Sequence, residues 1–112
     1  MITFLFSEAP DRYYYRTAKV GQMVKFPCLS KLKEDVDWAR LDTPDSTPED
    51  IYLGYIGILF EWYDRRFTVD KNHWYTLVIR DVTVSDSAYY RCIENSGFGN
   101  QHFYGLTVEG DF

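Results

Sequence analysis

The side chains of this 112-residue chain best suited to covalent or acid–base chemistry near neutral pH are few: two cysteines, Cys28 and Cys92, and two histidines, His73 and His102. The cysteines lie far apart, each in a stretch that reads as β-strand, and no C-x-x-C pair suggests zinc or redox chemistry. They read as one disulfide, with a reactive thiol or a reduced pair as the alternatives. In the chain-entropy account, closing a loop of that length would stabilise a fold by about 4 kcal/mol, and a bond that persists implies an oxidising compartment. His73 and His102 fall near expected strand or loop ends, with no serine, cysteine or carboxylate at a recognisable catalytic spacing, so each reads as a surface histidine. Ser96-Gly97-Phe98-Gly99 has two glycines but neither a lysine nor a following helix, which makes it a turn and not a phosphate cradle. Glu34 and Asp35 sit in a charged loop and would be solvated. No enzymatic chemistry, metal or cofactor is expected.

The chain is long enough for one domain, residues 1–112, with a two-layer core over about 13–108. Twelve Lys and Arg against seventeen Asp and Glu give a net charge of −5, which argues against nucleic acid or an anionic membrane surface as partner. No run approaches the roughly 20 apolar residues that span a bilayer. The opening Met1-Ile2-Thr3-Phe4-Leu5-Phe6 lacks the basic start and small-residue cleavage site of a signal peptide. Met1 is read as the start of a fragment whose export signal and any anchor are left out. Asn72, Asn95 and Asn100 are all followed by the wrong residue for an N-x-Ser/Thr sequon, so glycosylation lends no support to secretion.

The elements that must position these residues read as all-β. Apolar positions alternate between turn-rich pieces, without a helical stripe. Val24, Phe26 and Cys28 share one face of one strand, and Val36, Trp38 and Arg40 one face of the next. Pro27 is out of place in a sheet interior, unless the neighbouring first strand, split over Asp11 to Lys19, has crossed to the other sheet there. Thr43 to Asp50 is a loop; Ile51 to Tyr55 and Gly57 to Trp62 are two short β segments before Arg66-Phe67-Thr68-Val69. Leu77, Ile79 and Val82 make a further strand and its exit, Ala88, Tyr90 and Cys92 another, and Leu106 and Val108 the last. Asn95 to Asn100 is a hairpin turn.

A cysteine, a tryptophan ten residues on, and the run Asp86-Ser87-Ala88-Tyr89-Tyr90-Arg91-Cys92 resemble the immunoglobulin superfamily, over nearly the whole chain. The resemblance implies a two-sheet Greek-key sandwich with a disulfide from strand B (Cys28) to strand F (Cys92), Trp38 and Leu77 in the core, and Tyr90 as the corner tyrosine. The length between Trp38 and Cys92 accommodates strands C′ and C″ as well as D and E, which favours the nine-strand variable type. Arg66-Phe67 resembles the start of strand D in such domains, implying an ion pair of Arg66 with Asp86. Phe103-Tyr104-Gly105-Leu106 stands where antigen-receptor domains carry F-G-x-G. That departure argues against an antibody or T-cell-receptor chain and leaves the phase of Phe103 and Tyr104 open.

Function is then expected on the outward face of the G-F-C-C′ sheet. Period-two alternation places Asp37, Ala39 and Leu41 outside on C and Tyr89, Arg91 and Ile93 outside on F. Ala39, Leu41 and Ile93 would form an exposed apolar patch edged by Arg91 and Asp37, extended by Tyr55 and by Phe98 at the hairpin tip, unless the domain's own strands or loops cover it. Ten tyrosines and three tryptophans exceed what such a core needs. Tyr13-Tyr14-Tyr15 reads as a strand with aromatic residues on both faces. The expected function is extracellular recognition, as a secreted domain or the ectodomain of a membrane protein, in adhesion or receptor–ligand binding. The partner would be a protein, either an identical copy or another immunoglobulin-superfamily domain, with no nucleic acid and no direct membrane contact by this domain. Two alternatives stand beside it. One is an intracellular structural module of a muscle-type scaffold with reduced thiols. The other is an innate-immune, glycan-recognition domain using Arg91; sialic-acid-binding relatives place their arginine one position after the F-strand cysteine, where this chain has Ile93.

Overall fold

The computed structural model describes residues 12–28, 36–54, 58–59, 65–94 and 100–110. Among them the period-two patterning is expressed as nine strands: β1 (Arg12–Lys19), β2 (Val24–Phe26), β3 (Val36–Leu41), β4 (Glu49–Leu53), β5 (Ile58–Leu59), β6 (Phe67–Asp70), β7 (Thr76–Ile79), β8 (Ala88–Glu94) and β9 (Gln101–Glu109). One sheet has the order β1-β9-β8-β3-β4-β5 and the second β2-β7-β6. In the lettering above, β2 to β9 are B, C, C′, C″, D, E, F and G. All pairings are antiparallel except β1 with β9, which runs parallel from Arg12 opposite His102 to Lys19 opposite Glu109. β1 therefore lies wholly in the six-stranded sheet, and the chain changes sheets at the following turn. Gly21 sits there at φ +91°, a conformation in which only glycine is unstrained.

The core between the sheets is aromatic. Tyr104 stacks on Phe26 with ring centroids 4.6 Å apart and on Tyr14 at 5.3 Å. Phe26 and Phe67 both pack against Tyr90. Trp38, Tyr90, Leu77, Ile79 and Val82 are completely buried. Three of the core's polar rings find partners for their tips, as burial favours. Trp38 Nε1 donates to the Tyr75 carbonyl at 2.7 Å, Tyr90 Oη to the Asp86 carbonyl at 2.6 Å, and Tyr104 Oη to the Pro27 carbonyl at 2.5 Å. Tyr14, Tyr52, Tyr75, Tyr90 and Tyr104 are all in or against this core, so the tyrosines are not the surplus that composition suggests. Pro27 is accommodated because β2 ends at Phe26 and, among the described residues, is an edge strand: β1 lies in the other sheet, as that reading required, although it is not split over Arg12–Lys19.

Cys28, just beyond β2, is bonded to Cys92 in β8, with Cα atoms 5.7 Å apart, tying the two sheets together. Trp38 is the direct neighbour of Cys92 across the β3–β8 ladder. Below it, Arg66 forks onto Asp86, Nη1 to Oδ2 at 2.7 Å and Nη2 to Oδ1 at 2.9 Å, and Nη1 also reaches the Asp81 carbonyl at 3.0 Å. Asp86 in turn accepts from the Thr83 amide at 2.8 Å. The buried carboxylate is thereby held by a guanidinium fork and a backbone donor, with the Thr83 hydroxyl 3.4 Å from Oδ2.

A register shift between Trp38 and Ala39 sets Trp38 opposite Tyr52 but Ala39 opposite Asp50, leaving Ile51 as an extra residue. This bulge lets consecutive Ile51 and Tyr52 both enter the core. His102 departs from its expected surface position. β9 begins at Gln101, so His102 is already paired, opposite Cys92, and shares the inward phase of Tyr104 and Leu106. It is buried.

Candidate functional site

Register places the outward side chains of the six-stranded sheet in rows. One row runs Tyr13 (β1), Phe103 (β9), Arg91 (β8), Ala39 (β3), Asp50 (β4); the next runs Tyr15, Gly105, Tyr89, Leu41; a third holds Gln101, Ile93 and Asp37. The structure thus brings Ala39, Leu41, Arg91 and Ile93 onto one face. Tyr55 and Phe98 lie outside the described residues.

Among the described residues the expected patch is not exposed. Ala39 is 1%, Leu41 3% and Ile93 7% exposed. For Ala39 and Leu41 the physical reason is the phase of Phe103, which the sequence left open. Phe103 points outward and, with Ala39 and Leu41, forms a second apolar cluster against which Tyr89 packs. Small residues on β3 are roofed by large planar ones on β8 and β9. Asp37 is not a solvated edge either; it is buried, and its Oδ1 accepts from the Gly54 amide at 2.7 Å, tying β3 to the end of β4. Gly54 is required at this close approach, since a Cβ there would fall 2.2 Å from the Val36 carbonyl oxygen.

Accessible aromatic surface sits instead at the β1 edge of this face. Tyr13, 43% exposed, stacks on Phe103 with centroids 4.8 Å apart and planes 10° from parallel. Tyr15 is 73% exposed. Its ring lies over Gly105, where an added Cβ would be 2.8 Å from Tyr15 Cδ1 and 3.1 Å from Tyr89 Cε1. Arg91 is half-buried in the row between Phe103 and Ala39. The sequence signal for Tyr13 and Tyr15 was present in Tyr13-Tyr14-Tyr15, but which two point outward depends on the parallel register with β9. Tyr14 turns inward onto Tyr104.

The remaining imidazole, His73, is exposed on the β6–β7 turn. It does meet a carboxylate, with Nδ1 2.7 Å from Asp70 Oδ2, and that hydrogen bond holds the Asp70 carboxyl below its usual range. The neighbouring Thr76 hydroxyl is committed to the His73 carbonyl. Among the described residues no group of three or more His, Cys, Asp or Glu could hold a metal ion, and no helix is long and apolar enough to cross a membrane.

Two sheets stapled from β2 to β8 around Trp38, a corner tyrosine on Asp86, and two extra strands between β3 and β6 define a variable-type immunoglobulin sandwich. The immunoglobulin V-set domain model matches residues 13–109, and the chain belongs to that family. V-set domains are in general binding modules without enzymatic chemistry, and proteins, including other immunoglobulin domains, are common among their partners. A comparison with curated proteins returned no match.

Proposed function

We propose that this domain is an extracellular recognition module that binds a protein through the outward face of the six-stranded sheet, at its β1–β9–β8 side. The observation that carries this reading is the pair of accessible tyrosines, Tyr13 and Tyr15, seated on a layer that is already packed. Contact residues on such a layer are rigid before a partner arrives, so little side-chain entropy is lost on docking. Tyrosine supplies area and a polar tip at low entropic cost. The Cys28–Cys92 bond supports an oxidising, extracellular setting over a scaffold with reduced thiols.

Adhesion by self-association and recognition of a different protein use the same face in this proposal. Sedimentation across a concentration series reads the first, and binding to a panel of candidate ectodomains reads the second. In whichever assay shows association, Tyr13→Asp is expected to weaken it about tenfold or more at unchanged thermal unfolding. Unchanged association would remove the face from consideration.

A further inference from the structure

Beside Gly105 the outward face opens into a cleft of about 200 Å³, whose lining includes Tyr15, Tyr89, Gly105, Asp42, Ser87 and Thr107. The two tyrosine rings converge above the glycine, because each has a ring atom about 3 Å from the position a Cβ would take. An alanine there would push against both rings, so their placement at the cleft depends on residue 105 having no side chain. Asp42 is exposed. No described residue lining the cleft is basic, and among the described residues Asp42 makes no hydrogen bond or ion pair. Two electron-rich ring systems and one uncompensated carboxylate around a slot of one-side-chain size describe a cation site.

We propose that this cleft receives an arginine side chain of the protein partner. The inference rests on the reading that this face binds a protein, and it names the chemistry of that partner. An anion is disfavoured by Asp42 and by the net charge of −5. An apolar side chain would leave the carboxylate desolvated without a partner. A guanidinium satisfies both halves of the site, stacking on a tyrosine ring while its fork donates to Asp42, and it is desolvated more readily than a lysine ammonium. The Ser87 hydroxyl, whose oxygen accepts from the Val108 amide at 2.9 Å, keeps its proton available at the rim.

The test uses the intact domain and N-acetyl-L-arginine amide as probe, with the neutral isostere N-acetyl-L-citrulline amide beside it. Amide chemical shifts are followed during titration. Saturable shifts confined to the neighbourhood of Tyr15, Tyr89, Gly105 and Thr107 are expected for the arginine probe, with binding at least about fivefold weaker for citrulline and for Asp42→Asn. Gly105→Ala, whose Cβ would displace both rings, should abolish them; Tyr89→Leu should weaken them without unfolding the domain. Equal shifts from both probes, or no localised saturable shift, overturn the proposal. The parent reading fails separately. If Tyr13→Asp abolishes partner binding while Asp42→Asn leaves it intact, the face stands and the arginine site falls. If Asp42→Asn weakens partner binding and a partner arginine substitution is not additive with it, the site is supported.

Discussion

Leu41 and Ile93 lie on the outward face yet behave as core. An aspartate at either would bury a carboxylate in a packed layer, so Leu41→Asp and Ile93→Asp are expected to lower unfolding stability by about 3 kcal/mol or more. Urea denaturation measures this directly; a change below about 1 kcal/mol would show that the outward layer is loosely packed. Arg66 has the opposite profile, a partly exposed side chain with a buried partner, Asp86. Arg66→Ala strands that carboxylate and is expected to cost on the order of 3 kcal/mol. Arg66→Lys should recover only part of this, since an ammonium cannot reproduce the two-pronged contact and the Asp81 carbonyl bond together. These side chains show where residue-level reading succeeds and fails. The alternation in Val36-Asp37-Trp38-Ala39-Arg40-Leu41 assigns each residue to a face correctly, but it carries nothing about what lies over that face. That depended on Phe103, a residue on a strand more than 60 positions later whose phase no local pattern determined.

At the level of elements, β9 organises the molecule. One strand supplies Tyr104 to the core, Phe103 to the outer layer and Gly105 to the cleft, and it pairs with β1 on one side and β8 on the other. Burial, with Tyr14 alongside, pushes the Tyr104 hydroxyl up to about 12, and burial also raises Tyr52. Above the ordinary tyrosine value of about 10 the unfolded chain releases this proton while the folded chain retains it. The contribution of Tyr104 is therefore complete below pH ~10 and is lost as pH rises toward 12, on the order of 2 kcal/mol across the window. Unfolding free energies measured from about pH 9 to 11 should fall more steeply for the wild type than for Tyr104→Phe. Parallel slopes would contradict the burial of that hydroxyl. Strand identities were legible because turn residues and alternation punctuate the chain. The β4 bulge was not, since Ile51-Tyr52 reads equally well as one inward and one outward residue until Asp50 is seen opposite Ala39. The inward His102 was missed for a related reason, as the start of β9 depends on its pairing with Cys92 and not on any local signal.

For the whole molecule, the cystine and the face divide the work. Cys28–Cys92 closes a span of 64 residues, and reduction is expected to lower stability by about 4 kcal/mol in the chain-entropy account. Reduced protein should show a lowered unfolding midpoint but, while still folded, the same partner affinity, because neither sulfur reaches the outward face. The V-set family, the cystine and the corner tyrosine together were legible from a few residues, since they solve the one problem of joining two sheets. The binding edge was less so, because it is defined by what the fold leaves uncovered. The most direct test compares two accessible aromatic residues at distant places. Tyr15 lies on the proposed face; Trp74, 56% exposed at φ +57° on the β6–β7 turn, does not. Equilibrium affinity for the partner bound by the wild-type domain, measured for Tyr15→Asp and Trp74→Asp, is predicted to drop about tenfold or more for the first and to stay within about twofold for the second. A loss confined to Trp74→Asp would contradict the account.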